Sequence, residues 1–236
     1  MKTTRYSFLS ALCMTLWAPT VLRAQPGALD PSFNGTGYVV QPENTGDAVQ
    51  KILVQSDQKI LTVGMSFDAI YTAHAYVFRY MPDGTPDSTF AMDGVFTYDL
   101  DNEADLYSAV ITTDGKILLV GATTDYSTYR LLLIQLMPDG TFDGSFGTNG
   151  VVTQSVSAVA PNAEDMGYDV ALDASGNILL CGSSYDVNYV RRPIVARFTP
   201  SGVLDTTFGV NGVATIPVMA VGSSAFKGIV VQPDGK

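Results

Sequence analysis

The sequence has little of the chemistry that most enzymes and nucleic-acid binders need. Its 236 residues include one His, two Cys and one Trp. That leaves no material for a multi-Cys zinc site, a His-rich metal centre or a disulfide framework. Cations are scarce too: 13 Lys plus Arg stand against 23 Asp plus Glu, a net charge of −10. Phosphate binding rests on cationic groups that displace counterions, so this balance argues against a DNA or RNA partner. Beyond residue 24 there is no apolar run of membrane-spanning length and no helical periodicity, which argues against a membrane span and a helical fold. What is present is 46% apolar and only 15% charged residues, enough to bury a core.

The first 24 residues differ from the rest. Lys2 and Arg5 precede an apolar stretch from Phe8 to Trp17, and small residues then lead to Ala24 and Gln25. This is the layout of a secretory signal peptide cleaved after Ala24. Its removal takes away Lys2, Arg5, Arg23 and Cys13 and no acid. The remaining protein is expected to be more acidic and secreted or held at the cell surface. Cys181 is then the one cysteine left, in the apolar run ILLC, where a small core residue is the expected role.

Self-comparison reveals three landmarks that recur in the same order. The first is a Phe with an Asp three residues before it and a Gly four after it, at Phe33, Phe90, Phe146 and Phe208, with spacings of 57, 56 and 62 residues. The second is a polar turn, an apolar run and a Gly: SDQKILTVG, TDGKILLVG and ASGNILLCG, ending at Gly64, Gly121 and Gly182. The third is an apolar or aromatic strand running into a turn: VFRYMPDG, LLIQLMPDG and VARFTPSG, ending at Gly84, Gly140 and Gly202.

Each unit reads as four short strands. In the middle one these are residues 108–112, 116–120, 130–136 and 151–155, with Thr113, Asp114 and Gly115 as a tight hairpin turn. The second strand is continuously apolar, as expected of a sheet packed between two others. Four-stranded units of this length are the signature of propeller blades. The fold expected is therefore an all-β, β-propeller-like repeat of about three and a half four-stranded blades in an incomplete ring. Its units are about 47–100, 105–156 and 167–219, with a partial unit from 225. A β-solenoid or a pair of sandwiches is the alternative.

The runs DGKILLVG and LMPDGTFDGSFGTNGVV resemble the delta-60 repeat, a secreted or cell-surface bacterial module classed among uncharacterised β-propellers. The resemblance extends from Leu29 to Lys236 and implies architecture rather than chemistry, since the family has no established catalytic residues. Departures are Gln58 for the turn Gly, Asn177 for the Lys, and Gln135 where Arg79 and Arg197 stand in the other two copies. The final VVQPDGK matches the hairpin turn at Thr113 to Lys116 without the strand that follows it, so the chain reads as a fragment. Residues 226–231 should then pair elsewhere or fray, with low order at the C-terminus.

Catalytic chemistry is hard to place. The one His, His74, is expected in the loop before the third strand and supports no triad, and the DxxF acids and turn acids read as turn caps. Paired carboxylates are the better enzyme candidate: Asp99, Asp101, Glu103 and Asp105 crowd one connection, with Glu43, Asp47, Glu164 and Asp165 in the corresponding ones. A second recurrence follows the second strand. Asp68, Asp125 and Asp186 each lie four residues after the landmark Gly, and Tyr71, Tyr129 and Tyr189 follow three or four later. Repeated acids beside aromatic rings suit stacking on sugars or gripping cations and basic protein surfaces. The candidate ligand-binding set is therefore Asp68, Tyr71, Asp125, Tyr129, Asp186, Tyr189, Asp101 and Glu103. The expected function is a non-catalytic binding or scaffold module for an extracellular protein or glycan. Its rival is a glycan-active hydrolase or lyase using the acidic rim. No cofactor is expected, calcium at the acidic loops being a candidate that goes with the hydrolase rival.

Overall fold

A computed structural model describes residues 27–40, 47–67, 72–98, 103–158, 163–216 and 222–236. They form three four-stranded antiparallel sheets, each a simple meander. The first holds β1 (Asp47–Val54), β2 (Ile60–Phe67), β3 (Ala73–Tyr80) and β4 (Val95–Tyr98). The second holds β5 (Ala104–Ile111), β6 (Ile117–Thr124), β7 (Tyr129–Leu136) and β8 (Val151–Gln154). The third holds β9 (Met166–Leu172), β10 (Ile178–Tyr185), β11 (Arg191–Phe198) and β12 (Val213–Thr215). Among the described residues there is no helix, and none therefore long and apolar enough to cross a membrane.

The sheets stack face to face in chain order, and β6 shows why its sequence has no polar phase. All eight of its residues are buried. Ile117 and Leu119 point into a core with Leu61, Val63, Val77 and Phe90 of the first sheet. Leu118 and Val120 point the other way, into a core with Ile178, Leu180, Ala196 and Phe198 of the third. The middle sheet thus belongs to two cores at once, which removes the alternation of a half-exposed strand.

The landmark Gly of the second strand was expected to end it, but β2, β6 and β10 each run three residues past it. The reason is a bulge in the neighbouring first strand, with register shifts between Val49 and Lys51, between Leu106 and Ser108, and opposite Cys181 and Gly182. A Cβ on Gly64, Gly121 or Gly182 would sit 1.9, 1.8 or 1.8 Å from the carbonyl oxygen of Ala48, Asp105 or Met166. Only a residue without a side chain admits the bulged strand.

The other two landmarks meet each other across successive units. The Phe33 ring covers Gly84, Phe90 covers Gly140 and Phe146 covers Gly202, where a Cβ would lie 2.8–2.9 Å from ring carbons. These turn glycines sit at φ of +84°, +89° and +84°. Beside each ring the backbone closes the contact: Asn34, Ala91 and Gly147 donate their N–H to the carbonyls of Asp83, Asp139 and Ser201 at 2.6, 2.7 and 2.9 Å. Each DxxF element is thus a clasp on the turn of the next unit.

The arc is open. Val49, Ile52 and Val54 on the first sheet are exposed, and residues 38–40 join no strand among the described residues. The C-terminal segment does pair elsewhere. Phe226 donates its N–H to Gly182 at 3.1 Å, Ser224 to Arg191 at 2.9 Å, and the final turn closes by the same Gln232–Lys236 pairing seen in the other hairpins.

The clasp yields a test by denaturant titration. Phe90→Ala should cost about 3–5 kcal/mol, as for loss of a buried aromatic ring. Gly140→Ala should cost about 2–4 kcal/mol from its left-handed backbone and the collision with Phe90. The double variant should cost clearly less than the sum, because removing the ring makes room for the methyl.

Candidate functional site

The rim loops follow the second strand of each sheet. Asp68 and Tyr71 lie outside the described residues, as do Asp99, Asp101 and Glu43. In the second sheet Asp125 begins the loop. Its Oδ1 accepts Ser127 N–H and hydroxyl at 3.1 and 2.7 Å and Thr128 N–H at 2.8 Å, while Oδ2 receives Arg130 at 2.8 Å. In the third sheet Asp186 does the same work: Oδ1 accepts Asn188 and Val190 N–H at 2.8 and 3.0 Å, and Oδ2 receives Arg192 at 2.8 Å. The hydroxyl of Ser127 and the Arg130 guanidinium hold the Asp125 carboxyl far below the ordinary carboxylate range, and Arg192 and two backbone amides lower Asp186. Both acids shape their loops and anchor the following strand.

The tyrosines do not share a position. Tyr129 is the first residue of β7, paired with Thr124, and its N–H donates to Ala163 at 2.9 Å. Tyr189 is a loop tip at φ +58° with its ring edge against Tyr185 at 6.3 Å. Its counterpart at the other tip is Tyr126, at φ +64°, which the sequence reading passed over. Both tip rings are exposed, together with Val187.

Of the acidic connections, Glu103 uses its backbone carbonyl to accept Thr124 N–H and the Thr123 hydroxyl at 3.1 and 3.0 Å. Burial, with the charges of Glu103, Asp105 and Glu164, raises the Tyr129 phenol. Glu164 pairs with Arg191 and raises the Tyr185 phenol as well. Asp165 is 0% exposed and accepts the hydroxyls of Ser155 and Ser184 and the N–H groups of Val156 and Ser157, so it fastens the connection after β8 onto β10. Burial pushes the Cys181 thiol up to about 11, which keeps it a thiol at neutral pH.

A polar cluster that the sequence reading missed lies where the first strands converge. Asp169 on β9 accepts the Ser108 hydroxyl from β5 at 2.6 Å and Ile229 N–H at 3.0 Å, and lies 3.7 Å from Lys51 on β1. Beside it the rings of Tyr107 and Tyr168 stand 5.3 Å apart, and Lys227 Nζ is 3.0 Å from the Tyr168 centroid. Tyr107 donates to Asp105 Oδ2 at 3.2 Å, and burial raises both groups. The signal was available in AVQKI, DLYSA, GYDVA and FKGIV, polar residues inside otherwise apolar strands, but reading it required knowing that three bulges face one axis.

The DxxF acids are caps, as expected, and also ion-pair centres. Asp87, 4% exposed, accepts Thr89 N–H and hydroxyl through Oδ1, while Arg79 and Lys59 reach Oδ2 at 2.7 and 2.9 Å. Asp143 meets Lys116 at 2.9 Å and Asp205 meets Arg197 at 2.7 Å. Among the described residues no three His, Cys, Asp or Glu side chains gather as a metal-binding set.

A family model described as a domain of unknown function (DUF5122) beta-propeller matches residues 55–90, 112–146 and 174–208. Each match runs from the hairpin turn of one sheet through its DxxF clasp. The chain is a β-propeller-like repeat protein. No curated protein matches it. In this repeat the clasp acid couples the fold to pH. Lys116 and Ser145 lower Asp143 from the ordinary 3.8 to about 2. A depressed carboxylate contributes stability that is complete above its unfolded value and lost as pH falls through its folded one. The urea midpoint should therefore drop between about pH 4 and 2. Asp143→Asn should lower the neutral-pH midpoint and flatten that drop, and an unchanged acid limb would remove Asp143 from the account.

Proposed function

We propose that this chain is a secreted or cell-surface binding scaffold of the delta-60 repeat type, acting without catalysis on an extracellular protein or glycan. The observation that carries the reading is the division of labour in the rim loops. Asp125 and Asp186 commit both carboxylate oxygens to their own loops and strands, and the large apolar side chains left to solvent are Tyr126, Val187 and Tyr189, with Ser127 and Asn188 beside them. Rings held at loop tips in a left-handed backbone, a conformation costing on the order of 1 kcal/mol, are placed for stacking rather than proton transfer. Asp68, Tyr71 and Asp101 extend the same rim in the proposal, and Glu103 with calcium belongs to the hydrolase rival.

An oligosaccharide array with fluorescence readout, run with and without calcium, tests this. Binding should fall at least tenfold in Tyr126→Ala/Tyr189→Ala while the sugar chains stay intact. Release of new reducing ends that Asp101→Asn or Glu103→Gln abolishes would overturn the scaffold reading in favour of a hydrolase. The secretory reading has its own check: mass spectrometry of exported protein should find Gln25 as the first residue, and retention of residues 1–24 would sink it.

A further inference from the structure

The groove between the hairpin turns of the second and third sheets is a site with one part removed. Between the first and second sheets, the equivalent place holds Arg79. Its Nε donates to Asp87 at 2.7 Å, one terminal nitrogen to the Pro138 carbonyl at 2.6 Å and the other to the Thr89 hydroxyl at 3.3 Å, and its Cζ stands 4.6 Å from the Phe90 centroid. One repeat later every partner recurs in kind: Asp143 for Asp87, Ser145 for Thr89, Phe146 for Phe90, Pro200 for Pro138 and Lys116 for Lys59. The guanidinium alone is missing, because Gln135 occupies the Arg position.

Two observations show that the loss is not repaired from within. Gln135 is 6% exposed and lines the groove, yet its side-chain amide makes no hydrogen bond among the described residues. Asp143 Oδ2 is reached by the Lys116 ammonium at 2.9 Å but by no aligned hydrogen-bond donor. The space there, about 530 Å³, is floored by Leu118 and Ile178 and walled by Asp114, Asp173 and Pro200. The preceding groove is of similar volume, about 510 Å³, and there Arg79 itself forms part of the lining.

We propose that this groove binds a guanidinium group from outside, the side chain of an arginine or a free guanidino compound. The cation restores the charge that Arg79 supplies one repeat earlier. Its planar donors meet the Gln135 amide oxygen and the Pro200 carbonyl, while the Asp114 and Asp173 carboxylates, each already tied into its own turn, supply negative charge beside them. An ammonium lacks that fork and is the weaker ligand. The groove lies at the hairpin-turn ends of the strands and the rim loops at the opposite ends, and they share no residue, so either reading can fail alone.

The test is a titration of the full chain followed by amide NMR shifts at Thr113, Ser175 and Gly176. N-acetyl-arginine amide should shift these amides saturably, and N-acetyl-lysine amide should bind at least tenfold more weakly. An Ala-Arg-Ala peptide binding much more tightly than the amide assigns the ligand to a protein segment, and equal affinities assign it to a free guanidino compound. Gln135→Arg should abolish binding and raise the thermal midpoint, since the chain then fills its own groove. Asp173→Asn, at a half-exposed turn, should weaken binding severalfold and stands in if the first variant does not fold. Groove amides that ignore arginine, a lysine response of equal strength, or parental affinity in a folded Gln135→Arg protein or in Asp173→Asn would each overturn the proposal.

Discussion

The contact of an aromatic ring with a bare glycine turn in the next unit is what the rest of this molecule depends on. A four-stranded meander of short strands, three of seven or eight residues and a fourth of three or four, has two apolar faces and cannot hide either alone. Stacking solves this only if successive sheets meet at a fixed offset, and flat apolar faces do not define one. The Phe rings do. Phe90 is fully buried against Gly140, Phe146 against Gly202, and the adjoining N–H to carbonyl bond fixes the distance and direction. Since the next residue at the turn has a left-handed backbone that only Gly adopts cheaply, the same Gly that makes the turn makes the socket.

The charged groups behind each ring keep it aimed. A buried ion pair adds little net stability, because desolvation offsets its attraction, but removing one partner strands the other charge. The three repeats obey that rule while varying its content. Asp87 has both Lys59 and Arg79, Asp143 has Lys116 with Gln135 in place of the Arg, and Asp205 has Arg197 with Asn177 in place of the Lys. Each acid keeps at least one cation. The substitutions read in the sequence as departures from a pattern are therefore exchanges within a constraint.

Architecture was legible because it is written in residues that recur. The apolar phase of β6, the hairpin turns and the Phe-to-Gly spacing each report a local requirement that every unit must meet. What escaped the reading was geometry between non-neighbours. A Gly next to a polar stretch, as at Gly121, reads as a strand end, whereas Gly121 faces a bulge contributed by a different strand. Tyr129 and Tyr189 stand four and three residues after their Asp, in loops of four and five residues, so Tyr129 opens a strand, where its counterpart is Arg191, while Tyr189 stays inside the loop. The convergence on Asp169 was legible only as scattered polar residues, because Lys51, Ser108 and Asp169 lie on three different strands and nothing within one strand points to the others.

Repetition also says where to look for what is particular to this chain. Residues that serve the stack must be alike in every unit, so the inner positions where units differ are not needed for stacking. At the bulge the four inner segments carry Gln50, Tyr107, Tyr168 and Lys227, and just after it Lys51, Ser108, Asp169 and Gly228. A stack built for shape alone could repeat one residue there. Instead a single carboxylate gathers a hydroxyl, an amide N–H and an ammonium from three other segments, which locks the inner strands into one mutual arrangement. Asp169 is lowered in spite of burial, by the Ser108 hydroxyl, then the backbone amides of Ile229 and Val170, then the charge of Lys51, so the arrangement favours the charged form. The axis is thus held by polar bonds that differ in every repeat, while the interfaces are held by apolar contacts that do not.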